Sequence, residues 1–482
     1  MKGIRIVLLS FLLIGMLFGF GTSQNNTASA GLLQNMKIGS DLVPILQNTL
    51  DPVEVIVTFD SEGGPGLNDV KLLKSLGISQ GILLESLPMA GVLATPAQVE
   101  LLANSDDVVS IYLNKTLEYE NDEATDLTGV DKLRTDENMQ KLNDGLPITG
   151  KGVGVLINDS GVDGTHKDIE YGNHLVQNVL GSTNLHAQSE LLPISYVEDV
   201  PATDNNSGHG THVAGIVGGT GAMSGGLYEG VAPGANLIGY GSGAALAMLD
   251  TIGGFDYALT HQNEYNIRVV TNSWGDTGDA GTPFDPKNPI NIATKKLFDR
   301  GIITVFSAGN SGPDADTISG NYKKAPWVIT VAAGDKEGNL ADFSSRGLEG
   351  NGGTVTVEGE TWNWEDRPTI TAPGSKIIST RVISPVASLG AADDVQYIDP
   401  AYIPYYTTMS GTSMAAPHVA GVVALILEAD KTLSPLEVKK IIEDTATPMS
   451  GYASWEVGAG YVNAYDAVEK AFKLSKTTNN KK

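Results

Sequence analysis

The stretch TTMSGTSMAAPHVAGVVALIL (407–427) sets small and hydroxylated residues ahead of an apolar run that carries Pro417 and His418. Helices exclude proline beyond their first turn, so the reading places Pro417 in that turn, where a missing N–H costs least. Ala415, Ala416, Ala420 and Gly421 then let the helix pack closely against its neighbours. Its opening serine reads two ways. As an N-cap, its oxygen accepts a free backbone N–H. As a nucleophile, it gains from the same N–H groups, which favour negative charge. GTSMA (411–415) departs from the G-x-S-x-G elbow of α/β-hydrolases in its last place, Ala415.

Working outward, GVGVLIN (152–158), ANLIGY (235–240), IRVVTNSW (267–274), GIITVFSA (301–308), WVITVAA (327–333) and RPTITAPG (367–374) are short apolar runs separated by helical stretches. Such runs imply parallel strands buried on both faces, hence an α/β fold with a doubly wound sheet. Active groups in such sheets gather at the carboxyl ends of strands. Asp159 stands there, able to orient a histidine, or else to serve as a turn or N-cap aspartate. His209 lies between Gly208 and Gly210 in NNSGHGTHVAGIVGG (205–219) and reads as a base or as a core histidine. His209 and His212 could share a helix face as zinc ligands, but HExxH is absent. Asn310 follows a strand in TVFSAGNSG (304–312), as a site amide or a turn asparagine. Taken together, Asp, His, Asn and Ser follow one another along the chain, which is not the Ser–acid–His order of α/β-hydrolases.

The rest of the chain frames this unit. Its 482 residues suffice for a large α/β domain and a small one, and the absence of cysteine excludes thiol catalysis, thiolate metal sites and disulfides. A net charge of −25 argues against a nucleic-acid partner and reads mainly as a solvated acidic surface. Residues 1–30 read as a signal peptide: Lys2 and Arg5, then apolar 6–20, then TASA ending at Ala30, with GTS ending at Ser23 as a rival cut and a retained anchor as the alternative. The mature protein is then expected outside the cell and free of the membrane. Residues 50–116 form a separate unit of order β-α-β-β-α-β, the split arrangement of a ferredoxin-like fold. Within it TPAQVELLANSDD (95–107) places Thr95 as N-cap and Pro96 at the first helical position. NKTLEYENDEATDLTG (114–129) reads as an exposed linker, and residues 473–482 as a polar tail.

DSG (159–161), HGTHVAG (209–215), SAGN (307–310) and GTSMAAPHVAG (411–421) closely resemble the subtilisin-like serine proteases, the subtilases. GVAPGANL (230–237), VTNSWG (270–275), FSSRG (343–347), TAPG (371–374) and GAGYVNAYDAV (458–468) are similar to the family as well, and the resemblance covers about residues 125–470. It implies Ser413 as nucleophile, His209 as general base, Asp159 as the residue holding His209, and Asn310 as oxyanion donor with the N–H of Ser413. It also implies that residues 31–120 are an inhibitory propeptide and 121–472 the catalytic domain. Extended protein and peptide substrates are expected beside Gly241, Ser242 and Gly243, beside Ser273, Trp274 and Gly275, and near Ser307, Ala308 and Gly309, with an open apolar first pocket. Asn158, where the family has an aliphatic residue, is expected to loosen the strand register slightly; Asp163 and Asp168 are rival acids. Residues 347–368 and 383–406 read as insertions, shaped as surface hairpins or loops. Catalysis needs no cofactor, but structural calcium is an expectation for Asp276, Asp279 and Asp285 in GDTGDAGTPFDPKNP (275–289), against an ordinary acidic loop. The readings set against a secreted, self-processed endopeptidase are an esterase-type acyl hydrolase with the same triad and a catalytically degenerate surface binding protein.

Overall fold

A computed structural model describes residues 37–114, 118–119, 127–183, 185–205, 207–242, 247–276, 278–382 and 394–479. The signal segment, Gly243, and Leu117 and Ala124 of the linker lie outside the described residues, as do 383–393 of the second expected insertion.

The N-terminal body forms because strands β1 (Val53–Phe59), β2 (Gly81–Leu83), β3 (Met89–Ala94) and β4 (Val108–Leu113) alternate with two helices, Leu67–Ser75 and Pro96–Ala103. The order in the sheet is β4–β1–β3–β2, antiparallel throughout, as the split pattern implies. Thr95 and Gln98 cap the second helix reciprocally, with Pro96 just inside it. Behind the sheet, Leu42, Val55, Val57, Leu73, Val99, Leu102 and Ile111 make a small core. Beyond the body, β5 (Glu118–Tyr119) is a two-residue strand.

The main sheet is built on β6 (Gly154–Asp159), β7 (Leu175–Ser182), β10 (Asn236–Gly241), β11 (Ile267–Asn272), β13 (Ile303–Ser307), β14 (Ile329–Gly334) and β17 (Ile370–Pro373). These pair in parallel, and β9 (Ser195–Val197) closes one rim antiparallel, in the order β17–β14–β13–β11–β6–β10–β7–β9. Six strands answer the apolar runs in the sequence. β7 was not foreseen, because Gln177 and Asn178 interrupt its pattern; both are buried and bonded, Asn178 Nδ2 donating to the Val162 carbonyl at 2.9 Å. The chain passes from β10 to β11 through the helix Met248–Thr260, crossing β6, so the end of β6 lies at the switch point of the sheet.

Asn158 does not loosen β6: its pairing with β10 is regular through Asp159, and the shift on the β11 side lies between Ile267 and Val269. Its amide donates to the Thr251 carbonyl and to Asn272 Oδ1, each at 3.0 Å. Gly254 leaves it room, since a Cβ there would stand 2.3 Å from Asn158 Oδ1. The buried amide nitrogen is satisfied by one bond to the neighbouring strand and one to the helix packed above it.

The helix Thr412–Ala429 is apolar on all sides because it is surrounded. It packs on β11, β13, β14 and β17, on the helix His209–Gly218 and on the C-terminal helix Ala464–Asn479. Among the described residues it alone is long and apolar enough to cross a membrane, and 94% of it is buried inside the protein. Residues 352–365 form the expected hairpin, β15 (Gly352–Val357) with β16 (Glu360–Glu365), whose Trp362 and Trp364 rest on Trp327 and Phe284. β18 (Ile377–Thr380) pairs with β19 (Tyr406–Met409).

The N-terminal body sits on the Met248–Thr260 helix. Asn114 Oδ1 accepts the N–H of Leu249 at 2.7 Å, and buried Asp256 accepts from the N–H groups of Glu85 and Ser86 and from the Ser86 hydroxyl. Gly91 allows the approach: a Cβ there would stand 2.1 Å from Leu249. On the same body, Leu83 of β2 faces a strand of the larger domain, β8 (Leu191–Pro193).

Candidate active site

Asp159 ends β6, buried, and its Oδ1 lies 2.6 Å from Nδ1 of His209 and 2.8 Å from the N–H of Ser160. His209 opens its helix behind Gly208, whose φ of +79° suits glycine. Gly210 has to be small, because a Cβ would stand 2.1 Å from the Gly161 carbonyl oxygen. The turn is fixed by Asp204, a residue the sequence reading passed over. Its carboxylate accepts from Gly208 N and Thr211 N, each at 3.1 Å, and from Thr211 Oγ1 at 2.7 Å. Burial, with Asp159 nearby, pushes the Asp204 carboxyl above its ordinary range. The available signal was an aspartate just ahead of a glycine-led helix start.

The rival acids point elsewhere. Asp163 Oδ1 accepts from the N–H and hydroxyl of Thr165, and Asp168 accepts from Tyr406 Oη at 2.6 Å and Met223 N at 2.9 Å. His212 Nε2 lies 3.1 Å from the Thr407 carbonyl oxygen, and burial lowers its pKa to about 3. With His209 Nδ1 on a carboxylate and His212 on a backbone oxygen, the two histidines do not form a zinc pair.

Ser413 is the second residue of its helix, so Pro417 stands at the sixth, inside the helix and beyond the first turn expected for it. Proline there removes the N–H that bonds back four residues, to the carbonyl of Ser413. That carbonyl instead accepts the hydroxyl of Ser273 at 2.6 Å, while the hydroxyl of Ser413 donates to the carbonyl of Ser273 at 3.0 Å. A reciprocal clasp thus joins the serine to the segment after β11. Asn310 is held at the same helix start: its Oδ1 accepts from Thr412 N at 2.9 Å and Thr412 Oγ1 at 3.1 Å, and Thr412 Oγ1 accepts from Gly309 N at 3.0 Å. With its oxygen engaged, the Asn310 side chain has N–H donors left to offer.

The other expected positions share this carboxyl edge. Gly241 ends β10 opposite Asp159, and Ser242 N donates to the Asp159 carbonyl at 3.0 Å. Trp274 and Gly275 form β12, and Trp274 Nε1 donates to the Asn158 carbonyl at 2.8 Å. Ser307 ends β13, with Ala308 and Gly309 turning towards Asn310. Along β12 lies β5, antiparallel, with Trp274 opposite Tyr119 and Gly275 opposite Glu118. Glu118 and Tyr119 of the linker therefore lie beside the segment that carries Ser273.

The loop 275–289 does not gather its carboxylates around one ion. Asp276 accepts from Gly278 N at 2.8 Å, Asp279 from Gly320 N and Asn321 N, and Asp285 from the Tyr112 hydroxyl and Lys287 N. Among the described residues no group of three or more His, Asp or Glu could hold a metal. The three aspartates therefore do not fit a shared calcium site.

The model of the subtilase family matches residues 150–466. Serine protease AprX of Bacillus subtilis is 33% identical over 393 residues, covering 78% of this chain and 77% of that protein. Thermitase of Thermoactinomyces vulgaris is 29% identical over 66% of this chain and 90% of its own length. The crystal structure of fervidolysin from Fervidobacterium pennivorans, described as a keratinolytic enzyme related to subtilisin, superposes on 87% of this chain and 61% of that one, with a TM-score of 0.55 at 20% identity, a likeness of fold.

Proposed function

The chain belongs to the subtilase family and is a serine-type endopeptidase, and on that premise we propose that Asp159, His209 and Ser413 are its catalytic triad. The observation that carries the assignment is the 2.6 Å contact between Asp159 and His209 at the carboxyl edge where Ser413 opens its helix. A serine hydroxyl attacks a peptide carbonyl only when a base takes its proton. His209 Nε2 receives the proton from Ser413 Oγ as the new C–O bond forms. Asp159 fixes the Nδ1–H tautomer and stabilises the imidazolium. The Asn310 amide and the N–H of Ser413 stabilise the charge that develops on the carbonyl oxygen. His209 then returns the proton to the leaving amine, and water repeats the cycle on the acyl-enzyme.

Residues 1–30 act as a secretion signal, and residues 31–120 are an inhibitory propeptide that the enzyme removes in the exposed linker. The pairing of Glu118–Tyr119 with Trp274–Gly275 supports this, because a linker beside the cleft is a natural first substrate. Extended substrates bind by backbone pairing along Ser273, Trp274 and Gly275, which gives broad specificity, with an apolar residue preferred before the cut.

A serine-directed fluorophosphonate should label Ser413 in the wild type and not in Ser413→Ala, and the variant should lose casein hydrolysis while remaining folded. Proteolysis retained by the variant would sink the assignment. Turnover of a short ester without casein cleavage would favour an acyl hydrolase, and no labelling at all a binding protein.

A further inference from the structure

β8 (Leu191–Pro193) belongs to the larger domain by sequence but to the N-terminal body by pairing. It extends that sheet to β4–β1–β3–β2–β8, parallel to β2, with Gly81 opposite Leu191, Ile82 opposite Leu192 and Leu83 opposite Pro193. Ile194 N donates to the Leu83 carbonyl at 2.8 Å, and Gly81 N to the Glu190 carbonyl at 3.4 Å. Leu191 packs on the core of the N-terminal body, whereas Leu192 is 41% exposed. One residue later the chain enters β9, which pairs with β7 at the rim of the main sheet. Ile194, between the two strands, is buried in the cluster that holds Ile82, Leu84 and Met89 of the body and Leu249 of the helix beneath it. The polar contacts described between the body and the Met248–Thr260 helix involve a side chain; this one is a backbone ladder, as is the pairing of Glu118–Tyr119 with β12.

We propose that Leu191–Pro193 is a docking strand by which the catalytic domain recognises its own N-terminal body after the linker is cut. This rests on the reading of residues 31–120 as a removable inhibitor. Separation exposes two complementary edges, β2 on the body and β8 on the enzyme, each a template for strand addition. The partner that fits β8 is an extended segment of the body: Gly81 leads it, and a Cβ there would stand 3.2 Å from Leu191 Cδ2, although its closer clash, 2.4 Å from the Gly91 carbonyl, lies within the body's own sheet. The strand works away from the chemistry. β9 lies three strand spacings from β6, about 14 Å.

The test uses the full chain, allowed to cut itself, with three substitutions. Leu191→Asp puts a carboxylate against the core of the body. Leu192→Asp puts the same charge on the exposed side, and Leu191→Ala removes apolar contact alone. Two readouts follow: the lag between cutting and full activity on a peptide substrate, and the fraction of cut N-terminal segment co-eluting with fluorophosphonate-blocked enzyme. Leu191→Asp should shorten the lag at least about tenfold and lose co-elution, Leu191→Ala should do so less, and Leu192→Asp should match the wild type. Final kcat/KM should be equal in all four proteins. A wild-type lag left unchanged by Leu191→Asp overturns the docking strand. A wild type fully active as soon as it is cut overturns the inhibitor reading instead. Should Leu191→Asp not mature, Leu191→Ala decides by the same two readouts.

Discussion

Pro417 and Ser273 answer each other. The proline deletes the helix bond to the Ser413 carbonyl, and the Ser273 hydroxyl takes its place. Ser273→Ala should leave that buried carbonyl without its acceptor bond and cost about 1–3 kcal/mol. Pro417→Ala restores an N–H at the right place in the helix. In the Ser413→Ala background, which removes self-digestion, the double variant should therefore be less destabilised than the sum of the two single changes. Strict additivity in denaturant unfolding would refute the exchange. The proline itself was plain in the sequence; its position was not, because the helix starts at Thr412, leaving five residues rather than one turn ahead of it. Asp159, His209, Ser413 and Asn310 were legible for a different reason: each stands beside glycines or small residues that only a close-packed site requires. Asp204 was not, since its partners Gly208 and Thr211 become neighbours only once the turn is formed.

At the scale of elements, the helix that carries Ser413 also carries a titration. His418 is buried with Nε2 2.8 Å from Thr128 Oγ1, and burial lowers its pKa to about 3, as it does for His212 on the helix packed against it. Both are neutral in the native protein, while in the unfolded chain a histidine takes up a proton near pH 6.5. Their folded values are depressed, so the native state is penalised as pH falls below about 6.5, and the loss runs on towards pH 3. Each histidine should contribute about 1.4 kcal/mol per pH unit across that window. His418→Asn should flatten the fall in stability between pH 6 and 4.5 by about one proton, read from urea midpoints of Ser413→Ala protein. An unchanged slope would mean that His418 is already protonated when native. The strands shared this legibility when they were apolar, as β6, β10, β11, β13, β14 and β17 were. It failed at β7, whose buried Gln177 and Asn178 look like loop residues until their partners are in place.

At the scale of the whole molecule, self-removal of the N-terminal body has a direct test. The wild type should lose about 90 residues beyond the signal, cut in the exposed linker, and Ser413→Ala should stay whole, as mass spectrometry of the mature N-terminus will show. Trimming of the serine variant at the same linker, with other proteases absent, would refute self-processing. The position of the serine helix in the chain has one more consequence, for biosynthesis. β6 is translated about 270 residues before the helix Thr412–Ala429 is complete. Until residue 429 has left the ribosome, the part of that face over β11, β13, β14 and β17 lacks this helix, and Asp159 and His209 wait without a nucleophile. The N-terminal body, made of near neighbours in sequence, meets no such delay. The growing chain therefore has its seat for β8 folded well before it has anything with which to cut.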